Sequence, residues 1–148
     1  MNMKVGLIGR VACVVAVSLT VAMSNGQAGS PASYMYILMV NMIGPAADVL
    51  YKTAATPVLS DQDWDRIKQM ATRLSESAQA VSAGGTTSAD IEREGSSEWK
   101  SWAGKFADTV SLAVNAAERR DQAALVAATD DLEEVCKGCH MGFPQAAQ

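Results

Sequence analysis

Six apolar residues, Trp64, Ile67, Ala71, Leu74, Ala78 and Val81, recur at alternating steps of three and four. That spacing places them on one stripe of an α-helix, and such a stripe has to be buried against other helices. Two later segments repeat the pattern. Trp99, Trp102, Phe106, Val110 and Ala113 or Val114 share a face over about 97–118, and Leu125, Ala128, Leu132, Val135 and Cys139 share one over about 121–139. An earlier segment, about 33–52, carries Tyr34, Leu38 and Met42 beside the row Met35, Met39 and Met42. No useful stretch alternates with period two, so no strand is predicted. Aromatic residues are only 5% and alanine is abundant, which favours packed helices over a sandwich. The expected fold is all-α, an antiparallel four-helix bundle, because the short link at Arg119, Arg120 and Asp121 forces its two helices antiparallel.

The punctuation between the segments is consistent with this. Gly44-Pro45 predicts a kink or short break in the first helix, since proline lacks a donor and its ring crowds the carbonyl one turn back. Thr56-Pro57 ends that segment. Ser60 is a good N-cap with Asp63 at the capping-box position, and Asp61 and Asp65 add negative charge at the positive end of the helix dipole. Gly84-Gly85 stops the second helix, a short turn is expected over about 88–93, and Asp121 caps the fourth helix.

The chain has 148 residues, enough for one compact domain. Lys4 and Arg10 precede an apolar run from Val11 to Met23, and Gly26 and Ala28 suit the −3 and −1 sites of a signal peptidase. Residues 1–28 are therefore read as a cleaved secretory signal peptide, too short in its apolar part to span a bilayer comfortably. Residues 29–148 form the expected exported, periplasmic domain, with no membrane attachment after cleavage. Cys13 leaves with the signal, so the mature chain keeps Cys136 and Cys139 as its two cysteines. Without Lys4 and Arg10 the 12 basic residues fall to 10 against 16 acidic ones. An acidic domain of this kind is not expected to bind nucleic acid, which needs a clustered basic surface. Gly-rich phosphate loops, HExxH and Gly-x-Ser-x-Gly are absent.

Chemistry concentrates in Cys136-Lys137-Gly138-Cys139-His140. Two thiols three residues apart lie on one face of a helical turn, with an imidazole immediately after. Cys-x-x-Cys-His reads as covalent attachment of one haem c near the C-terminal helix, the thiols bonding its two vinyl groups and His140 ligating the iron from the proximal side. Rival readings fit less well. A redox dithiol needs the pair at the start of a helix after a strand; zinc needs four ligands; a disulfide across three residues closes too small a loop to add much.

The iron's other face decides what such a protein does. Met35, Met39 and Met42 form a thioether stripe on the first helix, which also reads as ordinary core packing. Spacing does not choose among them. Trp64, Trp99, Trp102 and Phe106 are expected in the core and as walls of the haem pocket. Asp48 and the run Asp130, Asp131, Glu133 and Glu134 read as a solvated face, with docking on a basic redox partner as the sharper alternative. No acid–base pair or nucleophile accompanies the motif, so enzymatic turnover is not expected.

On these residues the chain resembles the cytochrome c′ superfamily of exported bacterial haem proteins. The likeness spans nearly all of the mature chain: four helices, a proline-interrupted first helix, the haem motif near the C-terminus and Phe143 three residues after His140. Leu38-Met39 followed by Pro45-Ala46-Ala47-Asp48-Val49-Leu50 looks like the first-helix segment of six-coordinate, low-spin relatives, and the resemblance implies Met39 as the distal iron ligand. Five-coordinate relatives carry a basic residue directly after the aromatic, where this chain has Pro144, and no Lys or Arg follows His140. The resemblance thus implies a one-electron carrier acting between redox partner proteins, with binding of nitric oxide or carbon monoxide at a five-coordinate haem as the alternative. A homodimer is an expectation of the family rather than of these residues.

Overall fold

A computed structural model of the chain describes residues 33–85 and 88–144. The segment read as a signal peptide, residues 1–28, lies outside the described residues, as does Cys13. The described residues are all-helical, with no strand among them: α1 (Tyr34–Leu38), a π-helical turn (Met39–Ile43), α2 (Gly44–Ala54), α3 (Asp61–Ala83), α4 (Ser88–Glu94), α5 (Ser97–Arg119) and α6 (Gln122–Gly142). None of the described helices is long and apolar enough to cross a membrane.

The first arm runs without a break from α1 through the π-helical turn into α2, so the expected kink or break at Gly44-Pro45 takes a different form. Proline cannot donate, and in a regular helix its ring would press on the carbonyl four residues back. The chain responds by widening one turn: the Gly44 amide donates to the Met39 carbonyl five residues back. Glycine suits this turn, because a Cβ at position 44 would stand 3.0 Å from the Met39 oxygen. The arm is capped at its start by the Ser33 hydroxyl, which accepts from the Tyr36 amide at 3.1 Å.

α3 begins as its sequence demands. The Ser60 hydroxyl accepts from the Asp63 amide at 3.2 Å, and the Asp63 carboxylate accepts from the Ser60 amide at 2.8 Å, a reciprocal capping box. Gly84, with φ 83 and ψ 175, takes a backbone conformation that favours glycine and ends the helix, its amide donating to the Ala80 carbonyl at 3.1 Å. The short turn expected over 88–93 is the helix α4, which sets the partly exposed Arg93 guanidinium against the buried Asp90 carboxylate. Ser96 and Asp121 cap α5 and α6 through the amides of Trp99 and Ala124.

Side-chain contacts set the helix directions. Trp99, at the start of α5, donates from Nε1 to the carbonyl of Val81 at the end of α3 (3.2 Å), while Arg120 beyond α5 meets Asp61 at the start of α3 (2.5 Å). α3 and α5 are therefore antiparallel. Trp102 lies against Gly138, which makes α5 and α6 antiparallel as well. Gln122 donates to the Thr56 carbonyl at 2.6 Å, tying the start of α6 to the end of the first arm. α2 packs on α3 and α6, and α5 packs on α3 and α6, an arrangement compatible with the expected four-helix bundle. Leu50, Ile67, Leu74, Val110, Leu125 and Leu132 are fully buried at its centre. Each contributes about 1.5–3 kcal/mol by leaving water.

Candidate functional site

The last turns of α6 carry Cys136, Cys139 and His140. Residues three and four apart share a helix face, so the two sulfurs and the imidazole point the same way. Gly138 points elsewhere. A Cβ there would come within 2.1 Å of Trp102 Cη2, so only a hydrogen fits between α6 and the indole. Both cysteines are free and half-buried.

The three side chains border one cavity of about 320 Å³, at the lower end of the ~300–1,000 Å³ usual for small-molecule sites. α5 supplies an aromatic wall of Trp99, Trp102 and Phe106 with Ala103 between them, and Val81 closes the end of α3. The first arm supplies Met39, Ile43, Ala47 and Tyr51, flanked by Gly44 and Asp48. His140, Lys137, Gly44 and Asp48 are exposed, which puts them at its mouth.

The expected site residues Cys136, Cys139, His140 and Met39 thus come together around one apolar space. The other two methionines do not. Met35 is buried in the core and Met42 packs against it, neither lining the cavity. Trp99, Trp102 and Phe106 are pocket walls as expected. Trp64 is in the core, as expected, but is not a pocket wall: it is buried at the start of α3, the end remote from the Val81 wall, and does not line the cavity. Tyr51, Ile43 and Ala47 were not anticipated. Their signal is nevertheless simple, since Met39, Ile43, Ala47 and Tyr51 recur every four residues and so form one row on the arm.

Electrostatics separate the dithiol readings. Burial pushes the Cys136 thiol up, with the Glu133 carboxylate adding to the effect and a hydrogen bond from the Tyr51 hydroxyl opposing it. Burial likewise raises Cys139, helped by Cys136 and Glu98 and opposed by Arg93. Burial, the neighbouring Cys136 sulfur and the carboxylates of Glu133 and Asp48 hold Tyr51 firmly protonated. A reactive redox dithiol depends on a lowered thiol pKa; both shifts here run the other way. At the rim the Lys137 ammonium pairs with Glu133 at 2.5 Å, a bond that raises the lysine's pKa.

Among the described residues, no three of His, Cys, Asp or Glu gather into a group that could hold a metal ion. The donors at the cavity are instead two thiols, one imidazole and one thioether, set around aromatic and aliphatic walls. These are the donor types by which a covalently attached haem would be held. No protein-family model matches the chain, and no curated protein or solved structure matches it either.

Proposed function

We propose that the chain is an exported, periplasmic c-type cytochrome of the cytochrome c′ kind, a four-helix bundle that carries single electrons on one covalently held haem. The observation that carries the reading is the convergence of Cys136, Cys139, His140 and Met39 on one apolar cavity. When bound, the haem supplies reversible one-electron chemistry between ferric and ferrous iron.

Cys136 and Cys139 would anchor the group, and both are held as neutral thiols by burial until they react. His140 would give the proximal nitrogen, and Met39, the cavity-lining methionine, the distal sulfur. A neutral thioether favours the reduced state and so raises the potential. Trp99, Phe106, Val81 and Ile43 exclude water from the site, which limits solvent reorganisation when the charge changes. Tyr51, which lines the cavity together with Cys136, would pack beside that sulfur.

The test is a ferric and ferrous optical spectrum at neutral pH, with and without carbon monoxide, on the protein and on Met39→Ala. The expected result is a low-spin ferric spectrum whose methionine-ligation band is lost in Met39→Ala. A high-spin ferric spectrum in the unaltered protein selects gas binding at an open iron instead, and an unchanged low-spin spectrum in Met39→Ala removes Met39 as ligand.

A further inference from the structure

We infer that electrons enter and leave the cavity through Trp102, and that a redox protein with a basic surface docks on the outer side of this tryptophan. The inference rests on the haem reading above and names the exit that reading leaves open. Trp102 lines the cavity on one side and, on the other, a wider groove of about 560 Å³ on the α5–α6 surface. Trp99 and Phe106 line the cavity without reaching this groove. Because Gly138 has no side chain to interpose, the indole packs directly on the α6 backbone between the two cysteines. Trp102, Val135 and Lys137 line both spaces, and of these three only Trp102 carries a π system, a better electronic path than the two saturated side chains.

The groove also has the character of a contact surface. Val135 and the exposed Met141 give it apolar ground, and Asp108, Asp131 and Glu134 stand on its rim. Of the two lysines there, Lys137 is drawn to Glu133, and Lys105 holds its ammonium 4.1 Å over the Trp102 ring. With Glu133 counted, four carboxylates stand against these two ammonium groups, and Asp130 extends the acidic face along α6. A basic partner would be steered to this side. No bond is made or broken in the exchange and no proton moves: the reduced protein gives up one electron and the oxidant accepts it.

The experiment uses the haem-loaded protein and two one-electron oxidants, the trication tris(phenanthroline)cobalt(III), reduced to cobalt(II), and the anion hexacyanoferrate(III). In Asp108→Lys/Asp131→Lys the oxidation rate with the trication should fall about tenfold at low salt and the rate with the anion should rise. Both effects should fade at high salt. The same charge change on α3, Asp65→Lys/Glu76→Lys, should shift either rate by less than about twofold. Trp102→Leu should slow both oxidants severalfold while its optical spectrum stays that of the unaltered protein. A readout independent of electron transfer is line broadening by the redox-inert trication hexaamminechromium(III), expected at the amides of residues 105–109 and 131–135. Equal effects from the α3 and groove variants, broadening centred on α3, or unchanged rates in Trp102→Leu would each overturn the inference. A bare polypeptide mass would remove the haem reading itself, and is read before any kinetics.

Discussion

Gly138 is the residue at which sequence and packing meet most tightly. A methyl group there would sit 2.1 Å from the Trp102 ring, so alanine forces the indole to move. Overpacking of this kind costs about 1–3 kcal/mol. Gly138→Ala should lower stability by that amount in urea titrations, and pairing it with Trp102→Leu should recover most of the loss; full additivity of the two would mean that they do not touch. Position 138 falls between the two cysteines of the motif, whose pattern does not by itself require a glycine there. The tryptophan that demands it comes from another helix, 36 positions away in the chain. Tyr51 was illegible for a related reason. Its role depends on Cys136, which a pattern along one helix cannot bring near it.

The elements were the most legible level. The seams at three- and four-residue steps predict α3, α5 and α6, whose observed ends lie within three residues of the expected ones. Local hydrogen bonding explains that success: the caps Ser60 and Asp121 and the stop Gly84 act on their own neighbours. Pro45 was harder, because a proline forbids the regular turn without saying which distortion replaces it. The capping box of α3 makes a pH prediction. Hydrogen bonds from the Ser60 side chain and backbone, aided by Arg66, lower the Asp63 carboxyl below its ordinary 3.8. A lowered pKa stabilises the fold above the unfolded value, and the contribution disappears as pH falls through the folded value. The Tm difference between the unaltered protein and Asp63→Asn should therefore be constant above about pH 5 and close in acid. A difference that persists unchanged in acid would show that the ionised carboxylate is not what caps α3.

For the whole molecule, helix class could be read from periodicity, but the cavity could not, because it is a product of three-dimensional packing among the first arm, α3, α5 and α6. The packing also selects Met39 as the cavity methionine from a stripe of three that spacing alone left equal. It leaves the acidic run on α6 exposed, as a solvated face should be, and sets part of it beside Trp102. The central claim is that the space behind Cys136 and Cys139 is built to keep a porphyrin by two covalent bonds. Its most direct test is the intact mass, under denaturing conditions, of protein matured in its own host. The account expects the processed polypeptide plus one haem that denaturation does not release, and the mass of the polypeptide alone would contradict it.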